Sequence, residues 1–288
     1  MSEPDELFTL KNQFWVGNYR NAIQEATVLS HIPESQKMDR DVYVFRAQLA
    51  LRNFDGVLHA IPDDAPISLS AIKLYATYLN GGDAEITLLT LREWLGTQHG
   101  ENSHLLLVAG LIFMREHKFS DALSAFTRGR SLEHSMYATL LYLKMDRIDL
   151  AEKQVQDMKR IDEDATCTQL AKSWTLVAKG GDACDEAALH FQELRDRFGA
   201  SAQLLNAAAV AYMGLLNYAE ADHLLNEALA KDPAFEETYV NLVAVSQHLK
   251  KDSSAYIATL AQLNPANEWL EAYQRLENGF ARLAASYC

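Results

Sequence analysis

An all-α fold is predicted for this chain of 288 residues: an α-solenoid of about seven to eight helix pairs, wound as a right-handed superhelix. Three observations predict it. A unit of about thirty-four residues recurs along the chain. Small residues return at fixed points within the unit, and all six prolines (Pro4, Pro33, Pro62, Pro66, Pro233, Pro265) fall between helical patterns, where a missing N–H does least harm.

The clearest copy is Ala202–Phe235, with Tyr212, Tyr218, Ala221, Ala228 and Pro233 at spacings similar to those of a tetratricopeptide (TPR) repeat. Such a unit is two antiparallel helices that cannot bury their apolar faces alone, so copies must stack. Thr168–Ser201 precedes it in unbroken register, with Ala187 and Phe191 matching Ala221 and Leu225. Ser103–Leu132 supplies Ala109-Gly110, Phe113, Phe119, Ala122 and Phe126. Gly17–Ala22, Arg52–Val57 and Met145–Ala151 read as the internal turn and start of a second helix. A further copy starts at Glu236, with Asn241-Leu242 in its first helix and Ala255 in its second.

Each element has a local reason. Ala122, Ala187, Ala221 and Ala228 stand where paired helices cross closely, and Tyr19, Phe54, Phe119 and Tyr218 fill the space at the turn. Gly81-Gly82 and Gly180-Gly181 mark turns inside pairs. Asp83 is expected to cap Ala84–Leu95, and Ser120 to cap Asp121–Arg130. The stretch His31–Asp39, then Pro62–Pro66, is the least regular, and the repeats opening at Ser103 and Leu132 depart from the ordinary length in opposite senses. The chain reads as one solenoid domain over 1–288, with 265–288 as a C-terminal capping helix.

Composition narrows the partners. With 49% hydrophobic and 23% charged residues the chain is expected to fold throughout. A net charge of −13 repels phosphate backbones and anionic lipid, which argues against nucleic-acid binding. The longest apolar run, Leu105–Met114, is too short to span a bilayer, so direct membrane insertion is not expected. Met1–Leu10 starts acidic and lacks the regions of a signal peptide. Three widely spaced cysteines (Cys167, Cys184, Cys288) fit free thiols in a reducing, cytoplasmic compartment, and Ser286-Tyr287-Cys288 is no prenylation box.

No pattern of catalytic chemistry emerges. The nine histidines form no H-E-x-x-H, and the nearest pair, His99 and His104, straddles a loop and a helix start. Asp162-Glu163-Asp164 precedes a helix, where carboxylates complement the N-terminal dipole. The glycine pairs lack a phosphate-cradling loop, and Trp94, Trp174 and Trp269 lie on helix-period apolar faces that suit core packing. A non-enzyme without metal or cofactor is expected.

In a TPR solenoid the first helix of each pair lines the concave face. The register places Leu7, Phe14 and Trp15 there, then Val42, Arg46 and Leu49, then Leu107, Leu111, Met114 and Arg115, and finally Val210, Met213 and Val240. So apolar a wall is expected to be covered by a protein partner. TPR clamps for chaperone tails lead with a lysine where Leu7, Leu107 and Asn206 stand, which disfavours a cytosolic adaptor or co-chaperone that binds peptides transiently.

Particular segments resemble one family. Asp162–Thr166 with Thr168–Ala171 and Trp174 looks like the central stretch of coatomer epsilon subunits. Asn241-Leu242-Val243 with Ser246–Leu249 resembles a late segment of that family, and Asp5–Phe8 with Lys11-Asn12, and Arg147–Ala151, are also similar. The resemblance implies a non-catalytic structural subunit of the COPI coat of Golgi-to-ER transport. It further implies a superhelix encircling part of the C-terminal domain of the alpha subunit, in a hetero-oligomeric subcomplex with beta-prime. Attachment to Golgi membrane and COPI vesicles would be peripheral, through other coat subunits.

Overall fold

The computed structural model describes residues 5–29 and 32–287. Among these the chain forms seventeen α-helices and no strand. Its backbone divides into two compact units, Met1–Lys179 and Gly180–Cys288.

The first unit holds α1 (Phe8–Trp15), α2 (Tyr19–Val28), α3 (Glu34–Ala50), α4 (Phe54–Ala60), α5 (Ile67–Leu79), α6 (Ala84–Leu95), α7 (Ser103–Arg115), α8 (Phe119–Gly129), α9 (Leu132–Lys144), α10 (Ile148–Ile161) and α11 (Thr166–Lys179). The second holds α12 (Ala183–Phe198), α13 (Ala202–Gly214), α14 (Tyr218–Lys231), α15 (Glu236–His248), α16 (Ser254–Leu263) and α17 (Glu268–Ser286). The expected repeats Ala202–Phe235 and Ser103–Leu132 are thus helix pairs.

One turn recurs inside the pairs. An N–H two residues past the helix cap reaches back to a carbonyl in the last turn: Asn18 to Gln13, Asn53 to Gln48, Gly82 to Thr77, Lys118 to Phe113, Arg147 to Tyr142, Asn217 to Tyr212 and Lys251 to Ser246. This closure satisfies orphan carbonyls and requires a left-handed residue just before the donor. That residue is Gly17, Arg52, Gly81, His117, Asp146, Leu216 or Lys250, each with positive φ. Only two of the seven are glycine, so the fold imposes the conformation even where the side chain opposes it.

Small residues sit where helices approach most closely. A Cβ built at Gly110 would stand 2.3 Å from the buried Phe126 ring, and one at Gly214 would stand 2.5 Å from Cys184 Sγ. Ala122, Ala187, Ala221 and Ala228 are fully buried. Asp83 caps α6 as expected, accepting from the Ile86 N–H at 3.0 Å.

Two local expectations are corrected. Glu34–Asp39 is helical, because Pro33 in extended conformation opens α3 rather than leaving an irregular stretch. Ser120 does not cap α8: the helix begins at Phe119, straight after the turn closure at Lys118, so Ser120 lies within it. As expected, the run Asp162-Glu163-Asp164 precedes a helix: α11 begins at Thr166, after a turn in which the Asp162 carboxylate accepts from the N–H groups of Asp164 and Ala165.

Candidate functional site

The first unit closes on itself through its first helices. α3 packs on α5, α5 on α7 and α9 on α11, while α1 lies against both α3 and α11. The inward side chains therefore meet across the interior. The Arg46 guanidinium on α3 reaches Glu133 on α9 through both carboxylate oxygens, at 2.5 and 3.2 Å. Tyr43 Oη donates to the same carboxylate at 2.9 Å. Arg46 also lies over the Phe14 ring, 4.5 Å from its centroid, and near the Tyr43 ring.

These groups are taken out of water together. Burial alone would lower the Arg46 pKa, yet the Glu133 carboxylate outweighs it and holds the guanidinium above its ordinary pKa. Burial likewise pushes Glu133 upward, but the Arg46 charge and hydrogen bonds from Arg46 and Tyr43 bring it below the usual carboxylate value. Burial, reinforced by Glu133, raises the Tyr43 phenol. Beside them His134 is held in its neutral form by burial, and its ring nitrogens bond Ser131 Oγ at 2.6 Å and the Ser103 carbonyl at 3.0 Å.

The thirteen groove candidates separate by exposure. Leu7, Phe14, Val42, Arg46, Leu49 and Leu107 are interior, none more than 8% exposed. Trp15, Leu111 and Met114 are half-buried, and Arg115 is exposed. In the second unit Val210, Met213 and Val240 are half-buried on α13 and α15. The apolar candidates that keep accessible surface are thus Trp15, Leu111 and Met114 in one unit, and Val210, Met213 and Val240 in the other.

Asn206, the position where a tail clamp would need a lysine, is buried. It donates to the Ala202 carbonyl and Thr238 Oγ1 at 2.9 and 2.8 Å, and accepts from Asn241 at 3.0 Å. This ladder ties α13 to α15 and leaves no cation for a carboxylate. Among the described residues no cluster of three or more His, Cys, Asp or Glu could hold a metal, and no helix is long and apolar enough to cross a membrane.

Sequence reasoning missed Glu133, Tyr43 and His134. A signal was present: Arg46 on an otherwise apolar face of α3 demands a buried counter-charge, and Glu133 is the acidic residue in the first turn of α9.

Comparison with known proteins joins these features to a lineage. A family model described as coatomer epsilon subunit matches residues 3–288. The chain is 38% identical to coatomer subunit epsilon-1 of Oryza sativa subsp. japonica, covering 98% of each chain. It is 37% identical to coatomer subunit epsilon-1 of Arabidopsis thaliana, covering 100% of this chain and 99% of the relative. Among solved structures, a tetratricopeptide repeat protein from Parabacteroides merdae superposes with a TM-score of 0.61 at 13% identity, over 90% of this chain and 98% of that one. A chain of the APC/C hetero-tetramer Cut9-Hcn1 gives the same TM-score and identity, over 90% of this chain and 52% of that one. The solved structures establish the TPR-type fold, and with a match that runs from residue 3 to residue 288 the chain belongs to the coatomer epsilon subunit family.

Proposed function

We propose that this chain is a non-catalytic structural subunit of the COPI vesicle coat, serving Golgi-to-ER and intra-Golgi transport. The family match over the whole length carries this reading. Its partner is the C-terminal domain of the alpha coatomer subunit, with beta-prime in the same subcomplex. The chain is cytoplasmic and reaches the Golgi membrane peripherally, through the rest of the coat.

The alpha domain engages the first-helix faces through Trp15, Leu111, Met114, Val210, Met213 and Val240. Half-exposed apolar side chains of this kind lose water most profitably against a preformed partner surface, and a permanent coat interface of that type buries on the order of 2,000 Å² or more. The interior cluster around Arg46 and Glu133 keeps the first unit in shape and touches the partner only if the first helices part. Leu7, Phe14, Val42, Leu49 and Leu107 support the face from beneath.

Affinity purification of the tagged full chain from cytosol at physiological salt tests the reading. Alpha and beta-prime are expected in equal amounts with it. Recovery of peptide-tailed chaperones in place of coat subunits would overturn it in favour of an adaptor.

A further inference from the structure

The C-terminal helix carries an apolar seam with nothing packed on it. α17 is anchored at its start: Asn267 caps it by accepting from the N–H groups of Trp269 and Leu270, Leu270 is buried against Tyr239 and Leu260, and Asn264 and Asn267 both donate to Glu236. Beyond that anchor it stands free. From Gln274 to Tyr287 every residue but Gly279 is exposed, and a Cβ built at Gly279 would meet no atom within 4 Å. Leu276, Phe280, Leu283 and Tyr287 are 63–90% exposed.

These four residues are spaced alternately by four and three, the pattern that keeps one stripe facing a partner helix. Trp269 and Tyr273 extend the same stripe back toward the anchor. The stripe is flanked by Ala272, Gly279, Ala284 and Ser286, none of which would hold a second helix away.

We propose that this seam pairs with the same seam of a second copy of the chain, antiparallel, about a two-fold axis between Ala281 and Arg282. Two properties select that occupant. First, the pattern is its own complement: reversed about that point, Leu276 meets Tyr287 of the partner subunit and Phe280 meets Leu283 of the partner subunit, so each exposed apolar side chain finds another. Second, the charge permits it. Residues 276–287 carry only Glu277 and Arg282, so this segment is neutral on a chain of net charge −13. Antiparallel packing sets Glu277 opposite Ser286 of the partner subunit and opposes the two helix dipoles, whereas parallel packing aligns the dipoles and sets the two Glu277 carboxylates side by side. An anionic membrane offers neither match, since the polar side of the segment brings a single arginine.

Four apolar side chains per copy give a small interface, roughly 800–1,000 Å² in total, which places the pairing in the weak, concentration-dependent class. Sedimentation of the full chain over an about hundredfold concentration range is expected to show mass doubling at the upper end. Leu276→Glu and Phe280→Glu, both at exposed positions, are expected to weaken it at least about tenfold with unchanged helical content.

Orientation is read separately on a Cys288→Ser background. Mixed Glu277→Cys and Ser286→Cys chains are expected to cross-link 277 to 286 in preference to 277 to 277. A chain that stays monomeric throughout, a dimer indifferent to Phe280→Glu, or dominant 277-to-277 cross-links would overturn the proposal. So would a monomer whose seam variants lose only the alpha subunit or only vesicle binding, since the seam would then belong to that occupant. The coat reading survives the first three outcomes, because it rests on the family match over residues 3–288 and is tested by co-purification of alpha.

Discussion

Arg46 and Glu133, 87 residues apart in sequence, form a two-pronged ion pair with side chains no more than 7% exposed. The contact joins the second and fifth helix pairs of the first unit and fixes how tightly its first helices draw together. A buried pair of this kind is worth little over an apolar substitute, but either half left alone is an uncompensated charge.

Glu133→Leu is therefore expected to destabilise the chain by about 3–5 kcal/mol, and Arg46→Met by a comparable amount. The double variant Arg46→Met/Glu133→Leu is expected to recover most of that loss, since apolar side chains of similar size replace both charges. Urea unfolding of the four proteins checks it. Additive losses would show that the two residues act separately.

Acid should weaken the fold in two stages. His134 and Glu133 both have folded pKa values below their ordinary 6.5 and 4.5. The unfolded chain thus takes up protons first as pH falls, and each group's contribution, complete above those values, drains away below them. Stability is expected to decline below about pH 6.5 through His134 and again below about pH 4.5 through Glu133. His134→Gln should flatten the first stage; an unchanged slope would exclude His134 as its source.

Leu216 holds φ 59° in the turn between α13 and α14, with its side chain 72% exposed. The left-handed conformation costs a branched residue roughly 1–2 kcal/mol; glycine escapes it, at a smaller cost from the added freedom it gives the unfolded chain. Leu216→Gly is expected to stabilise by a few tenths to about 1 kcal/mol in thermal unfolding. A fall in stability would mean the leucine makes a contact that outweighs its backbone strain.

At Gly110 the sign reverses. Alanine would gain about 1 kcal/mol of helix propensity in α7, but its methyl would lie 2.3 Å from a Phe126 ring that is only 1% exposed and stacked on Tyr137. Overpacking of about 1–3 kcal/mol wins, so Gly110→Ala is expected to destabilise. Phe126→Leu in the same chain should relieve part of the penalty.

The fold was readable in the chain because its determinants are local. Ala109-Gly110, Ala221 and Ala228 mark helix crossings, Asp83 marks a helix start, and the aromatic residues Tyr19, Phe54, Phe119 and Tyr218 each open a second helix. The misplaced boundaries at Glu34 and Phe119 follow from local backbone conformation and a turn closure that override single-residue preferences. The groove was less readable, because the repeat register tells which side of a first helix faces inward but not how far the inner space is filled. Leu7, Val42 and Leu107 face inward and are already covered by their own unit, whereas Met114 and Met213, read from the same register, keep accessible surface.

Calorimetric titration of the full chain with the alpha C-terminal domain, for wild type and for Met114→Asp, Met213→Asp and an outer-surface control, Leu89→Asp, tests the central claim most directly. Tight one-to-one binding is expected for wild type and for the Leu89 variant, whose side chain is 65% exposed on α6. Each methionine variant is expected to lose about 2 kcal/mol or more, on the order of thirtyfold in affinity, while keeping its helical content. No measurable binding by wild type, or equal affinity in all four proteins, would contradict a coat subunit that holds its partner on the first-helix face.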